Sequence, residues 1–422
     1  MFRFDRYITW EQANREDGSL YRGKSMLVDI LRKLRKVDYL IVFVMLMLMI
    51  ISITSIYSVT KETKLDGSHF MMIRYYIVGF VAFIGISLLD YRLLIKYAWY
   101  IYLGGLVTLI LVIFIGKDIN GAQGWIYIGS LSIQPAELFK LVLIIFLSCV
   151  LYRKKNKPLL SFWKDVVPVG MLAFLPFALV MLQNDLGNAL SYFVILVGLL
   201  WIGNIKYTHA LVGLTLMGGI IFGSTQAYIH FHDEIIEAKL LKPHWIGRID
   251  SWLLPDSAPS DSSYHTRNAK LAIASGGMKG MGFMEGGYVQ KGFVPYAYSD
   301  SIFAQIAEEY GFIGSSILLL LYFVLIHRMI LIALECKDRA GPFLIVGIIS
   351  MFLYQLFENI GMFIGLMPLT GITLPFISYG GTSLIINMAC LGVAMSVKLH
   401  GQEVEEDMPN PQTYRPAPPK QA

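Results

Sequence analysis

The sequence contains a succession of long apolar runs, each close to the length that crosses a lipid bilayer. About 20 apolar residues in a helix span the hydrocarbon core. The chain is 55% hydrophobic and only 15% charged, which excludes an ordinary soluble enzyme or a disordered scaffold. We therefore predict an all-α polytopic membrane protein with about ten transmembrane helices. The ten runs lie at residues 39–58, 71–89, 97–116, 137–152, 166–182, 187–204, 208–229, 302–326, 342–364 and 383–398.

The basic residues between the runs indicate how the spans are oriented, because short cytoplasmic loops are enriched in Lys and Arg. With a cytoplasmic N-terminus, the short inner segments hold Arg92, Lys96, Arg153, Lys154, Lys155, Lys157, Lys164, Lys206, Arg328, Lys337 and Arg339. The short outer loops hold only Lys61, Lys64 and Lys117. This alternation predicts that both termini are cytoplasmic. The net charge of +5 reflects this distribution, and we expect no nucleic-acid partner.

Three regions follow from this organisation. Residues 1–38 form a cytoplasmic segment that ends in a basic amphipathic pattern, which predicts a helix lying on anionic membrane lipids. Residues 39–398 form the membrane domain, and the proline-rich residues 399–422 are predicted to be a disordered cytoplasmic tail. The three cysteines lack the spacing of a metal site, so we predict no metal held by the protein's own cysteines.

Two loops are predicted on the outer side. Residues 230–300 form a long extracellular loop whose glycine-rich part, 276–282 (GGMKGMG), can approach another segment closely. Residues 365–382 (GLMPLTGITLPFISYGGT) carry no charge, yet contain prolines and glycines that break a helix. Such a segment is predicted to be a re-entrant outer loop that packs against protein, where its backbone groups find partners. It can wall a cavity or hold a lipid tail.

Polar side chains concentrate in the outer halves of the predicted spans. A charge within a span costs roughly 2.5 to 3.5 kcal/mol on insertion scales, so such residues face a cavity or a partner. One interpretation is a set of interhelical pairs, and the other is a substrate cavity in the outer leaflet, which convergence from five segments favours. The residues are Glu137, Lys140, Asp185, Asp300, Ser301, Gln305, Glu308, Gln355, Glu358 and Asn359.

Several distinctive motifs occur in sequence order. They are NGAQGW at 120–125, QPAELFK at 134–140, QNDLG at 183–187, YSDSIF at 298–303, EEYGF at 308–312, PLTG at 368–371 and LPFISYGG at 374–381. Together they resemble the SEDS family (shape, elongation, division and sporulation), which includes RodA, FtsW and SpoVE. The resemblance covers about residues 39–398, and the Ala-Gln before Trp125 is more similar to RodA than to FtsW. Near Asp300 the family usually has Pro-Glu-x-His-Thr-Asp-Phe, whereas this chain has PYAYSDS at 295–301.

The resemblance implies a peptidoglycan glycosyltransferase that polymerises lipid II on the outer face of the bacterial cytoplasmic membrane, in complex with a class B penicillin-binding protein. It also implies that Asp300 is the essential aspartate. Polymerisation requires a sugar hydroxyl to lose its proton while it attacks an anomeric carbon. We therefore predict that Asp300 is the general base, a role that typically contributes about 10² to 10⁴-fold.

The leaving pyrophosphate requires positive charge, for which Lys140, Arg248, Arg267 and Lys279 are candidates, or a divalent cation such as Mg or Mn. The remaining predicted substrate-binding residues have structural alternatives as well. Glu137 and Lys140 can form a buried pair, Glu308 can brace the bundle, Asp185 can brace a turn, and Trp125 can anchor at the interface. The predicted contact residues are Trp125, Glu137, Lys140, Asp185, Arg248, Lys279, Glu308, Ser378 and Tyr379.

Two other functions are compatible with the sequence. A flippase for the lipid-linked precursor would need a polar path to the cytoplasmic side, where the inner halves of the spans have few charges. A noncatalytic scaffold that activates a penicillin-binding protein is compatible with the altered sequence around Asp300. Incubation of the protein with labelled lipid II distinguishes polymerisation, translocation and activation of a partner.

Overall fold

The computed structural model describes residues 36–402 except 62, 120–121, 129–130, 155–158, 239–240, 242 and 255–259. The predicted N-terminal amphipathic helix and nearly all of the predicted tail lie outside the described residues. The elements are α1 Tyr39–Thr60, α2 Ser68–Leu88, α3 Tyr91–Lys96, α4 Ala98–Ile115, β1 Lys117–Ile119, β2 Ala122–Ile128, β3 Leu131–Ile133, α5 Pro135–Tyr152, a π-helical turn Phe162–Val166 leading into α6 Val167–Leu182, α7 Leu186–Ile202, α8 Tyr207–His230, α9 His232–Glu237, α10 Pro243–Leu253, α11 Ser260–Gly276, α12 Ile302–Glu335, α13 Ala340–Ile364 and α14 Gly381–His400.

The predicted polytopic helical architecture is confirmed. In the described part of the chain, nine helices are long and apolar enough to cross a membrane, and the remaining predicted span corresponds to the 17-residue α7. Most ends lie within a few residues of the prediction, because hydropathy summed over a whole span defines it well. The clear exception is α12, which continues to Glu335.

Two helices form the centre of the bundle. In α5 and in α14, 83% of the most apolar 18-residue stretch is buried. α14 packs along α2, and α5 packs against α4, α7 and α13. By contrast, none of the corresponding stretch of α8 is buried, and its main contact is with α9. The central helices therefore form the scaffold, while α8 projects from it.

Short polar side chains define several helix starts. Asp38 accepts a hydrogen bond from the Ile41 amide at 3.3 Å, and Asp185 accepts one from the Asn188 amide at 3.1 Å. Each satisfies a backbone donor that the first turn leaves without an intrahelical partner. Pro135 begins α5, where its missing amide costs nothing. Gly365 ends α13 in a left-handed conformation, φ 87°.

A kink divides α12 near its start. Gly311 adopts φ 64° and ψ −160°, a conformation that only glycine adopts readily. The glycine-rich residues 276–282 lie against this kink and pair with it through backbone hydrogen bonds. Phe312 N donates to Gly277 O at 2.8 Å, and Met281 N donates to Glu308 O at 2.9 Å. The predicted close approach of this segment to another one is thus observed, and it satisfies backbone groups that the kink releases.

Two parts of the predicted loops are ordered in ways that the sequence analysis missed. The chain between α4 and α5 forms a three-stranded antiparallel sheet in the order β1-β2-β3. The predicted long loop 230–300 contains the helices α9, α10 and α11. The segment between α13 and α14, residues 365–380, is non-helical as predicted. It packs inward, and its carbonyl groups at Phe376 and Ile377 accept hydrogen bonds from Tyr76 and Ser52.

Candidate functional site

A cavity of about 500 Å³ lies at the end of the bundle that carries the sheet. This volume is within the range of roughly 300 to 1,000 Å³ that is usual for small-molecule sites. Side chains from distant parts of the sequence line it, including both long loops. The lining residues are Trp125, Gln134, Glu137, Asn184, Asp185, Asn188, Arg248, His265, Tyr296, Tyr298, Ser299, Asp300, Leu369, Thr370, Gly371, Ile372, Thr373, Tyr379, Gly380, Thr382 and Ser383.

Asp300 lies in this wall, two residues before α12 begins. Its Oδ1 atom is buried and has no hydrogen-bond partner in the described part of the chain. Burial raises the pKa of Asp300 to about 6, while backbone amides of Asp300 and Ser301 and the charge of Arg248 act in the opposite direction. A carboxyl group whose pKa lies close to neutral can both accept and release a proton near physiological pH.

Asn359 connects the Asp300 loop, residues 295–301, to the segment between α13 and α14. From its buried position on α13, its Nδ2 donates to the carbonyl of Asp300 and to the carbonyl of Ile372, both at 2.7 Å. The neighbouring residue, Glu358, accepts a hydrogen bond from Thr370 at 2.9 Å. One helix therefore fixes two walls of the cavity relative to each other, and the side chain of Asn359 holds the backbone of Asp300 in place.

His265 holds the other side of the Asp300 loop. Its Nε2 lies 2.7 Å from Ser301 Oγ, and that hydroxyl donates to the carbonyl of Pro295 at 2.9 Å. The Ser301 hydroxyl hydrogen points to the Pro295 carbonyl, so Ser301 Oγ acts as the acceptor towards His265. Both hydrogen bonds therefore form when His265 Nε2 is protonated. Burial lowers the pKa of His265 to about 4, so the ring is neutral at physiological pH. The chain His265–Ser301–Pro295 closes the turn that presents Asp300.

A second carboxylate, Asp185, lies in the wall that the turn between α6 and α7 supplies. Gln134 Nε2 donates to it at 2.8 Å, and Asn188 donates to it from Nδ2 at 2.9 Å and from its backbone amide at 3.1 Å. Burial raises the pKa of Asp185, and the hydrogen bonds from Asn188 oppose this rise. Its lone pairs are largely occupied by protein donors, which makes it less available as a base than Asp300.

Arg248, on α10, contributes the cationic side chain that lines the cavity. Burial lowers the pKa of its guanidinium, and the negative charges of Asp185 and Asp300 raise it. An arginine stays protonated under all ordinary conditions, so Arg248 places a fixed positive charge that interacts with the carboxyl groups of Asp185 and Asp300. A guanidinium in this position can bind an anionic oxygen of a ligand through two parallel hydrogen bonds.

Glu137 and Lys140 form an ion pair at 2.8 Å on adjacent turns of α5, with side-chain exposures of 6% and 0%. The glutamate lines the cavity, whereas the lysine does not. A buried pair of this kind has to remain complete, because either charge left alone is costly. This arrangement matches the structural alternative that the sequence left open.

The structure thus brings together most of the predicted site residues and separates others. Trp125, Glu137, Asp185, Arg248, Asp300 and Tyr379 line the cavity. Lys140 lies behind Glu137, and the hydroxyl of Ser378 accepts a hydrogen bond from the Leu374 amide at 2.8 Å. Both support the wall and do not line it.

Lys279 and Glu308 do not line this cavity, so the structure does not bring these two predicted substrate contacts together with Asp300. Lys279 is exposed in the glycine-rich segment and does not line the cavity. Glu308 is buried, and its carboxylate accepts hydrogen bonds from the amides of Tyr288 at 2.7 Å and Val289 at 3.0 Å. This buried carboxylate of α12 therefore attaches the long loop to the bundle. Arg267, another candidate for the pyrophosphate, is exposed on α11 and is likewise outside the lining.

Sequence reasoning missed several residues of the site. His265 had no recognisable signal, because its position depends on how the long loop folds back. Tyr296 lies in the PYAYSDS stretch noted around Asp300, but its place in the cavity wall was not predicted. Gln134 and Asn359 were present in noticed patterns, namely the QPAELFK motif and the polar end of the ninth span, but their partners were not predictable. Asn188 could have been found as the polar residue one turn after Asp185.

A divalent cation remains a prediction. Among the described residues, no three His, Cys, Asp or Glu side chains cluster as a metal site. Mg²⁺ commonly binds through one or two carboxylates together with phosphate oxygens of a substrate. Asp300 is suitable as such a single carboxylate ligand, and a cation there would neutralise phosphate charge.

Comparison with known proteins identifies the relatives of this chain. A family model described as "Cell cycle protein", named for FtsW, RodA and SpoVE, matches residues 35–403. The stage V sporulation protein E of Bacillus subtilis is 34% identical over 82% of this chain and 91% of its own length. The peptidoglycan glycosyltransferase MrdB of Escherichia coli is 32% identical over 76% of this chain and 83% of its own length.

Solved structures have the same fold. A chain from a structure described as "Structural coordination of polymerization and crosslinking by a peptidoglycan synthase complex" matches with a TM-score of 0.72 at 28% identity, covering 86% of this chain and 97% of that one. The rod shape determining protein RodA of Thermus thermophilus matches with a TM-score of 0.63 at 25% identity, covering 87% of this chain and 98% of its own.

Proposed function

The chain belongs to the family of FtsW, RodA and SpoVE, and we propose that, as a peptidoglycan glycosyltransferase of this family, it polymerises lipid II in the cavity that Asp300 lines. The observation that carries this proposal is the geometry of Asp300. A desolvated carboxyl group, one oxygen of which has no hydrogen-bond partner among the described residues, shares a cavity with the cationic Arg248. The names of relatives such as MrdB of Escherichia coli support the activity.

Asp300 acts as the general base. The 4-hydroxyl of the acceptor sugar attacks the anomeric carbon of the lipid-linked donor, so that an O4–C1 bond forms and the C1–O bond to the pyrophosphate breaks. The proton of the hydroxyl passes to the carboxylate of Asp300 as the new bond forms. Undecaprenyl pyrophosphate leaves with the electron pair. The hydrogen bonds from Asn359 and the Ser301–Pro295 contact hold the carboxylate in position during this step.

Arg248 stabilises the leaving group. Negative charge increases on the pyrophosphate as the C1–O bond breaks, and a positioned guanidinium stabilises this charge most strongly where water is excluded. Arg248 is the cationic residue among the cavity-lining side chains. The same charge keeps the pKa of Asp300 lower than burial alone would make it, so a larger fraction of the base is ionised before the reaction.

The chemistry takes place on the external side of the cytoplasmic membrane in this proposal. Placing the basic short loops inside directs the sheet and the long loop outward, and the cavity opens at their end of the bundle. The undecaprenyl tail then remains in the outer leaflet while the sugars enter the cavity. We further propose a class B penicillin-binding protein as the partner that crosslinks the strands. The similarity to a chain of a solved peptidoglycan synthase complex, which coordinates polymerization and crosslinking, supports such an assembly.

Purified protein incubated with labelled lipid II, alone and with its transpeptidase partner, tests the function. Polymer resolved on a gel is expected from the wild type and not from Asp300→Asn. Asp233→Asn is the matched control, because its side chain is 95% exposed in the long loop, and it is expected to retain activity. Translocation of lipid II in vesicles without polymer would indicate the flippase. Partner activation without polymer would indicate the scaffold, and an active Asp300→Asn would refute the role of Asp300.

A further inference from the structure

A row of tyrosine rings crosses the cavity wall next to Asp300. Tyr296, Tyr298 and Tyr379 all line the cavity. The ring centroids of Tyr296 and Tyr298 are 6.5 Å apart, and those of Tyr298 and Tyr379 are 6.0 Å apart. Tyr75 on α2 continues the row at 6.2 Å from Tyr379. Each neighbouring pair is steeply inclined, between 61° and 73°, which is the favoured edge-to-face geometry of aromatic pairs.

Tyr296 is held in an unusual backbone conformation at the edge of this row. Its φ of 51° lies in the left-handed region, where a bulky residue is uncommon and the surrounding structure has to maintain it. Its carbonyl accepts hydrogen bonds from the amides of Ser299 at 2.8 Å and Ser301 at 3.3 Å. The residue is nevertheless 44% exposed. The loop therefore maintains a strained conformation that leaves an aromatic residue at the cavity surface.

The other two rings belong to segments that are bonded to each other. The amide of Tyr379 donates to the carbonyl of Tyr298 at 2.9 Å. Asn359 connects the same two segments through its hydrogen bonds to the carbonyls of Asp300 and Ile372. The row is thus assembled from the Asp300 loop and the α13–α14 segment before any ligand enters. A preformed surface of this kind binds a rigid ligand without a further ordering cost.

We propose that Tyr296, Tyr298 and Tyr379 form a binding platform for the pyranose rings of the glycan beside the reaction centre. The apolar C–H face of a pyranose packs on an aromatic ring, while phenol hydroxyls bond to its hydroxyl groups. The platform rests on the proposed function and adds the surface along which the sugar chain lies. Burial raises the pKa of Tyr298 and of Tyr379, so these phenols keep their protons and can donate.

The surroundings favour a sugar over a lipid tail as the ligand of this row. The rings adjoin Ser299, Asp300 and Arg248 in the same cavity, and these polar groups would lose hydrogen bonds to water without replacement if a hydrocarbon covered them. A glycan presents both hydroxyl groups and apolar faces and can satisfy both kinds of surface.

Steady-state kinetics and product-length analysis with labelled lipid II test the platform. Tyr296→Asn removes the ring and keeps a residue that tolerates the left-handed backbone, whereas Tyr296→Phe keeps the ring. Loss of one aromatic contact is expected to raise KM about three- to tenfold and to shorten the polymers, and Tyr296→Phe is expected to stay within about twofold of the wild type. Tyr127→Asn is the matched control, since Tyr127 on β2 is 45% exposed and does not line the cavity.

Each result decides between the two proposals. If the wild type makes no polymer, the proposed function is refuted, and the platform that rests on it is refuted with it. If the wild type is active and Tyr296→Asn has an unchanged KM and product length, the platform is refuted and the function stands. Equal losses in Tyr296→Asn and Tyr296→Phe, or an equal loss in Tyr127→Asn, would also refute it. A loss confined to Tyr296→Asn, repeated in Tyr379→Ser, supports it.

Discussion

Asp300→Asn is expected to make the protein inactive and more stable at the same time. The fold holds this carboxyl group in a desolvated position, where its pKa is raised to about 6. A raised pKa means that the folded state favours the protonated form, so ionisation of Asp300 destabilises the fold. This destabilisation is complete above the folded pKa and disappears as the pH falls towards the unfolded pKa. Asparagine resembles the protonated form and never ionises.

The size of the effect follows from the difference between the two pKa values. A rise from 3.8 to about 6 corresponds to about 3 kcal/mol of unfolding free energy at pH 8, and about half of that at pH 5, with each pKa unit worth about 1.4 kcal/mol. Loss of the general base is expected to lower the polymerisation rate about 10² to 10⁴-fold at pH 8. The difference should be about tenfold smaller at pH 5, where most of the wild-type carboxyl is already protonated.

Thermal unfolding of the detergent-solubilised protein, combined with the lipid II assay, measures both effects. We expect a higher unfolding midpoint for Asp300→Asn than for the wild type at pH 8 and a smaller difference at pH 5. Asp233→Asn should leave the midpoint unchanged because its side chain is 95% exposed. A lower midpoint for Asp300→Asn at pH 8 would refute the desolvation argument, since it would mean that the ionised carboxylate stabilises the fold.

Three further expectations concern charge and backbone. Wild-type activity should fall about tenfold per pH unit below the Asp300 pKa of about 6. Arg248→Gln should move the midpoint of this pH–activity profile upward, because Arg248 lowers the pKa of Asp300. An unchanged midpoint would refute the charge interaction between the two residues. Gly280→Ala should destabilise more than Gly277→Ala in thermal unfolding, because both have positive φ but only a Cβ at Gly280 meets neighbouring backbone; equal shifts would contradict this. Lys140→Met should cost about 3 to 5 kcal/mol by leaving its buried carboxylate partner unpaired, and a midpoint close to wild type would show that the pair contributes little.

The sequence predicted the bundle well because each span is a long, redundant signal. About 20 apolar residues define a membrane helix, so an error at one position hardly changes the result. The strands at residues 117–133 were missed because the first and third have only three residues each, too few to display an alternating pattern. The helices of the long loop were missed because α9 and α10 are short and α11 is largely polar, so none has the length and apolar content of a span.

The site was predictable where residue chemistry alone points to it. A carboxylate at the end of a span is costly unless it has a function or a partner, which is why Asp300 and Asp185 were found. The same argument pointed to Glu308, whose partners are two backbone amides and the Ser275 hydroxyl of the long loop, which matches the structural alternative left open for it. His265 contributes through a hydrogen bond to a residue 36 positions away, and no local pattern predicts such a pair.

The kink at Gly311 mechanically couples α12 to the long loop. The carbonyls of Glu308 and Glu309 accept hydrogen bonds from the amides of Met281 and Gly282. These bonds attach the N-terminal part of α12 to the segment that follows α11. α11 in turn carries His265. A partner that tilts α12 from its far end, near Glu335, would therefore pull on the residue that braces the turn before Asp300. The proposed polymerisation rate would then respond to an event at the opposite end of the bundle.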